Sequence, residues 1–592
     1  MRKRRGASGG TRGQDERFGC PAARGLGRRA WACLVGFAAS LFASWGAAPE
    51  IRVHAPRALR PGVAAVLQLK GTSLAGTRAL WTSWGGVIER RDGEGWECDA
   101  DRVRVPVFVP GQVPAGIEAV RLLGTNGVSN LAWVWVDGLR EESVSEDPTD
   151  KGASAPLLRP PCAIQGTFAE GGVRRYALLL NRGQRIGIEV VAQRMGSPSD
   201  PVLRVLNERG EECAYLNDTP GLGSDGALEF EAPATGEYRI EVRESEYAGG
   251  ENLPFRLRVG AGPVGAVAFP AAVGAASGGG FGGLQVDWAS VSASTGKGVG
   301  EVVALGASGE ATPLARWVPV DRPGEFACTP RLKVLERWVG LEVEPNDSEE
   351  TATPMGVSGQ FRAGRFDRAA DVDYFRITVS TSGWWRVSVQ SRTLGLAADP
   401  RIRLIGAGNK VLARAAGGNP DPMLFHRFET GGDYWVAVDE MGGRDGFARG
   451  YVLEATPDVV PSWVSTDVDR VSVPAGGKQT ILLKIEPRGY DGPLRIEAEG
   501  LPEGVEMENP DIEGRKKEWA LSLRSLTGSA VGASAPVRFR VKAKADGFRA
   551  ATEVDLGPAR RKAFPRMVAF PPGFLETLWV AVVPEESPAI SK

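Results

Sequence analysis

The stretch from Tyr176 to Leu206 reads YALLLNRGQRIGIEVVAQRMGSPSDPVLRVL, and that from Phe375 to Ile405 reads FRITVSTSGWWRVSVQSRTLGLAADPRIRLI. Laid over one another without a gap, they keep one phase. Leu178 falls on Ile377, Leu180 on Val379, Ile186 on Trp385, Ile188 on Val387 and Val190 on Val389. Asp200-Pro201 falls on Asp399-Pro400, and Leu203, Val205 and Leu206 fall on Ile402, Leu404 and Ile405. Further on, Gly236-Glu237-Tyr238-Arg239-Ile240-Glu241-Val242 matches Gly432-Asp433-Tyr434-Trp435-Val436-Ala437-Val438. Within each copy apolar residues alternate with polar ones, the period of a strand that faces a core on one side and water on the other. The chain therefore carries one β domain twice.

The remainder of the chain has the same character. Its 592 residues, 42% of them hydrophobic, suffice for several cores, and 78 glycines and 41 prolines punctuate short runs rich in Val, Ile, Tyr and Trp. The expected fold class is all-β, a multidomain string of β-sandwiches of jelly-roll-like and immunoglobulin-like type. The 71 basic residues nearly cancel the 72 acidic ones, leaving a formal charge of -1. Such a balance provides no field for nucleic acid or an anionic membrane.

Several motifs resemble known families. Glu342-Val343-Glu344-Pro345-Asn346-Asp347, then Asp371-Val372-Asp373-Tyr374-Phe375, the Asp-Pro strand and the Gly-Asp-Tyr strand resemble the bacterial pre-peptidase C-terminal (PPC) domain. The first copy is placed at 160–262 and the second at 342–457. The resemblance implies a jelly-roll-like sandwich, found beside secreted peptidases and on exported proteins without one; it implies no activity by itself. Residues 50–140, with Arg60-Pro61-Gly62 and Gly124-Thr125-Asn126-Gly127, resemble the immunoglobulin-like IPT/TIG fold. Residues 458–557, with Val473-Pro474-Ala475-Gly476-Gly477 and Gly500-Leu501-Pro502-Glu503-Gly504, resemble immunoglobulin-like modules of exported bacterial proteins. Residues 263–340, with a Gly/Ala/Ser-rich run, are read as a degraded Ig-like spacer, and 558–592 as an irregular tail or final strand.

Residues 1–48 read as a signal peptide or N-terminal anchor. Arg and Lys crowd the start against Asp15 and Glu16, and an apolar stretch from Ala30 to Ala48 follows. Cleavage after Gly46 or Ala48 would release the chain, whereas an uncleaved segment would be its one membrane attachment. Either way the remainder is exported, to the cell surface, the periplasm or the extracellular space.

No catalytic constellation emerges. His54 and His426 are the two histidines, and the chain lacks H-E-x-x-H, G-x-S-x-G, C-x-x-C and P-loop motifs. The chain is therefore expected not to be an enzyme. Of the cysteines beyond the leader, Cys162 and Cys213 share a domain. They either form a disulfide, adding roughly 4 kcal/mol for a loop of about 50 residues, or remain two reduced core thiols, since Met355 and Leu412 occupy the matching positions of the second copy.

The PPC resemblance further implies one calcium ion in the second copy, held by Glu342, Glu344, Asn346, Asp347, Asp371 and Asp373, hard oxygen ligands of the kind calcium takes. The first copy has Gly172 and Arg174 in register with Asp371 and Asp373, which disfavours a cation there. Strand phase also places Trp384 and Trp435 outward, where the first copy has Arg185 and Arg239. Such indoles are covered by an adjoining module, another chain or a ligand such as a sugar ring. Two functions are consistent with these readings. One is an exported binding or scaffold protein for a glycan, peptide or surface protein; the other is an accessory subunit of a separately encoded secreted peptidase or other hydrolase.

Overall fold

Lys478–Pro487 shows how the strands arise: Ile481, Leu483 and Ile485 are buried while Leu482 and Lys484 face out, so alternation in the sequence becomes a two-faced ribbon. The computed structural model describes residues 48–91, 93–113, 115–144, 155–261, 266–274, 285–290, 300–304, 317–319, 331–335, 339–355, 361–417, 421–548, 550–565, 567 and 577–585. The leader read as a signal or anchor, apart from its last residue, lies outside them. Among the described residues no helix is long and apolar enough to cross a membrane.

The fold is all-β, and the described residues form four two-sheet sandwiches and a further pair of small sheets. The first sandwich sets Glu50–Ala55, Ala64–Thr72, Arg102–Phe108 and Glu97–Cys98 against a sheet whose central members are Ala132–Val136, Gly116–Gly124 and Thr77–Thr82. The repeated sandwiches share one strand order. In the earlier copy Cys162–Thr167, Pro254–Gly260, Arg185–Val191 and Gly226–Glu231 lie side by side; in the later copy Phe361–Arg365, Gly450–Pro457, Gly383–Gln390 and Met423–Phe428 do the same. Registers agree residue by residue: Ile188 lies opposite Leu228 and Val259, and Val387 opposite Leu424 and Ala455.

Both copies also share a device that the alignment did not single out. Asp225 accepts the amides of Ala192 and Gln193 at 2.9 and 2.7 Å, and Asp421 those of Arg392 and Thr393 at 2.9 and 3.0 Å. Each carboxylate thereby anchors a tight turn that ends in a left-handed glycine, Gly196 or Gly395.

Two segments outside the expected sandwich spans join their sheets. Arg140–Glu141, ahead of the span 160–262, pairs in parallel with Cys162–Thr167 of the earlier repeat. The stretch 558–592, read as an irregular tail or final strand, supplies the strand: Leu578–Val583 lies between Arg470–Pro474 and Ser534–Ala543 in the last sandwich, after the short helix Gly557–Ala563. All six of its residues are buried, so it belongs inside the sheet. The spacer at 263–340 contributes two three-stranded sheets, and Val267, Phe269, Ala271, Ala272 and Leu335 pack on Phe361, Leu394, Leu396 and Val452 of the later repeat.

The first sandwich joins the earlier repeat through buried charge. Asp137 receives Arg256 Nε and Nη2 at 3.1 Å each and Arg258 Nε at 3.1 Å, and Arg258 also pairs with Glu189, which receives Arg194 at 2.7 Å. Burial opposes ionisation of Asp137, but Arg256 and Arg258 hold its carboxyl below the usual carboxylate range. Trp135 donates its indole N–H to the same carboxylate at 3.0 Å. Removing one member of such a network leaves buried charge without a partner. Asp137→Ala is therefore expected to cost about 3–5 kcal/mol in denaturant unfolding. Glu97→Ala, which breaks an exposed pair with Arg104, should cost less than about 1 kcal/mol; equal losses would contradict this assignment.

Candidate cation site in the later repeat

Asp373 sits in the core phase of its strand, with Phe375, Ile377 and Val379, and is fully buried. A carboxylate in a core position requires partners. One is Tyr451, whose hydroxyl donates to Asp373 Oδ2; the second oxygen, Oδ1, is buried without a hydrogen-bond partner. Next to it runs the chain that leaves strand Val339–Leu341. Glu342 Oε1 accepts the Arg365 amide at 2.7 Å, while Oε2 faces Asn346 Nδ2 at 3.5 Å and the Tyr451 hydroxyl at 3.4 Å.

Asn346 is fully buried, its backbone carbonyl taking the Tyr374 amide at 2.8 Å, and its side-chain Oδ1 also has no hydrogen-bond partner. Glu342, Glu344 and Asp373 bring one carboxylate oxygen each within 4.8 Å of one another. Gly364 makes room for this gathering, because a Cβ there would collide with the Tyr451 ring and with Glu342 Oε2.

The six residues expected as ligands thus divide. Glu342, Glu344 and Asp373 converge and Asn346 lies among them. Asp347 instead pairs with Arg368, and Asp371 accepts Arg368 Nε at 3.1 Å and the Asp367 amide at 2.9 Å. The donor set fits a hard divalent cation: three carboxylates and an amide carbonyl, two of whose oxygens are buried acceptors with no donor. Tyr451 and Gly364 were not among the expected residues.

The earlier repeat explains the difference by substitution. Strand pairing places Phe255 where Tyr451 stands and Gly166 where Gly364 stands, and the aromatic contacts correspond, Phe168 on Phe255 at 4.8 Å and Phe366 on Tyr451 at 5.0 Å. Arg174 takes the Asp373 position and donates to the Thr167 carbonyl at 2.9 Å.

The tryptophans keep their expected phase: Trp385, Val387 and Val389 enter the core, and Trp384 and Trp435 do not. Both are half-buried. Trp384 lies against Gly489 of the last sandwich, where an added Cβ would strike the ring. Trp435 donates to the Glu349 carbonyl at 3.1 Å and so sits under its own domain's leader. Arg185, the counterpart of Trp384, leaves its side chain 82% exposed. Each indole thus has a contact within the chain, Trp384 with the last sandwich and Trp435 with its own domain.

The disulfide alternative gives way to the other. Cys162 and Cys213 are free thiols on strands of opposing sheets, and burial pushes the Cys162 thiol up to about 12. His54 is buried and pushed down to about 3, chiefly by burial. His426 is half-buried, its ring edge-on to Phe428 at 4.9 Å.

No family model matches the chain, and no curated protein matches it. Among solved structures, the pre-peptidase C-terminal domain of a Bacillus anthracis collagenase is similar at 18% identity, over 19% of this chain and 98% of that one, with a TM-score of 0.16. Escherichia coli alpha-2-macroglobulin is similar at 11% identity, over 89% of this chain and 52% of that one, with a TM-score of 0.15. A Clostridium perfringens ZmpB fragment, an M60 catalytic domain with two CBM51 domains, is similar at 9% identity, over 67% and 55%, with a TM-score of 0.13. The chain spans about half the length of the latter two. At these scores the likenesses carry no argument about activity or ligand.

Burial, with Glu344 and Asp367 nearby, pushes Glu342 up to about 8; burial, with Glu342 nearby, pushes Asp373 up to about 9. Folded carboxyls that hold their protons longer than unfolded ones add stability that is complete at low pH and lost as pH rises through the folded values. In chelator, the melting temperature should fall as pH rises from ordinary carboxylate values, 4.5 for Glu342 and 3.8 for Asp373, towards 8 and 9. Glu342→Gln with Asp373→Asn should flatten that slope; an unchanged slope would show that these two groups do not titrate as described.

Proposed function

We propose that the chain is an exported, non-catalytic binding or scaffold protein whose later repeat holds one calcium ion. On this reading both repeats derive from one PPC-like unit, and only the later one keeps the cation site. The observation that carries it is the pair of buried acceptors, Asn346 Oδ1 and Asp373 Oδ1, beside Glu342 and Glu344. Orphaned acceptors in an acidic pocket are costly without a cation to face them. A flexible oxygen cage of this kind suits calcium better than magnesium, which demands near-ideal octahedral geometry.

The two histidines support the non-catalytic reading. His54 is held neutral in the first sandwich and His426 lies edge-on to Phe428 on an edge strand of the later repeat, so neither is presented as a general base. The ligand class is a glycan, a peptide or a surface protein, which arrays probed with the full chain would identify.

Calorimetric titration of the full chain with calcium should show one site per chain. At a free calcium concentration 100 times the dissociation constant the folded state should gain about 2.7 kcal/mol. Asp373→Asn should abolish both the heat and the gain. No heat and no rise in melting temperature at millimolar calcium would remove the proposal.

A further inference from the structure

We propose that the contact between the first and last sandwiches is a closing clasp: an interface between two separately folded cores that can part without unfolding either. Three strands of the first sandwich are buried on both faces. In Thr77–Thr82, Leu80 enters the core while Ala79 and Trp81 point away from it; in Gly116–Gly124, Val120 and Leu122 enter while Ala119 and Leu123 point away; in Ala132–Val136, Val134 and Val136 enter while Trp133 points away. The last sandwich answers in kind. From Leu578–Val583, residues Leu578, Val580 and Val582 belong to its own core, and Trp579 and Ala581 to the contact.

The facing residues make a third, separate apolar cluster, joined by Phe564 and Met567 from beyond the short helix. Trp81 meets Trp579 edge-on at 5.5 Å between ring centroids, and Trp133 meets Phe564 at 5.5 Å. At its edge the buried Arg121 donates to Asp469 at 2.8 Å and to the Ser129 carbonyl at 2.7 Å, and Arg78 donates to the Val531 carbonyl at 3.0 Å. Tryptophan and arginine anchors inside an apolar patch are the composition of a protein–protein interface. Here the partner is the far end of the same chain, held at high effective concentration by the intervening sandwiches. Because the cluster shares no residue with either core, opening it leaves both cores intact. To the expected string of sandwiches this adds that its ends meet.

Solution scattering of the full chain tests the clasp. The double variant Trp81→Ala, Trp579→Ala should shift the radius of gyration upward while the far-ultraviolet circular dichroism stays that of the wild type. Asp469→Lys, which sets a cation against Arg121, should do the same, and adding Arg121→Glu should restore the wild-type radius. An unchanged radius in both opening variants would overturn the proposal, as would loss of the β spectrum in both, since the contact would then be part of a shared core.

Discussion

A strand in a two-layer sandwich owes one face to its core and the other to water, and the arrangement of this chain turns on the strands that break that rule. Ala132–Val136 reads AWVWV and is buried throughout. Its inward residues fill the first sandwich; Trp133 turns to the last sandwich and Trp135 to the earlier repeat, where Arg194 and Arg258 lie 5.5 and 5.7 Å from the ring centroid. Sheet twist and strand order would permit many placements of neighbouring sandwiches. A second apolar face restricts them to those that cover it.

The two repeats show how one scaffold acquires or loses a polar site at constant packing. Phe255 and Tyr451 hold the same register position on the same aromatic neighbour. The hydroxyl of Tyr451 reaches Asp373, and in the earlier copy the phenyl of Phe255 faces no such carboxylate because Arg174 stands there. Each set is consistent within itself. The glycine under the ring is common to both copies; acid and hydroxyl occur together in one and Arg with Phe in the other, so a single exchange between them would bury a charge or an acceptor without its partner.

Much of this could be read from the sequence. Alternation gave the strands, and the gapless overlay of 176–206 on 375–405 gave the duplicated sandwich and the inward phase of Trp385 and Val387. The motif Glu-Val-Glu-Pro-Asn-Asp supplied three of the residues that gather at the site, and Asp371-Val372-Asp373 the fourth. The same two motifs also offered Asp347 and Asp371, which Arg368 draws aside; a cation a few residues away competes for carboxylates in a way that motif spacing does not record. Tyr451 carries no such signal, because its counterpart Phe255 is a core phenylalanine and the position reads as apolar. The run LWVAVV at 578–583 carried the signal of a strand buried on both sides, but which neighbour covers each face is a tertiary fact. The free thiols follow likewise from which sheet each cysteine joins.

The calcium ion proposed among Glu342, Glu344, Asn346 and Asp373 can be tested by terbium luminescence, since the lanthanide takes the same oxygen ligands and Tyr451 stands close enough to sensitise it. The full chain excited in the aromatic band should show terbium emission that excess calcium displaces and that Asp373→Asn abolishes. Absence of sensitised emission, or emission that survives Asp373→Asn, would contradict the assignment.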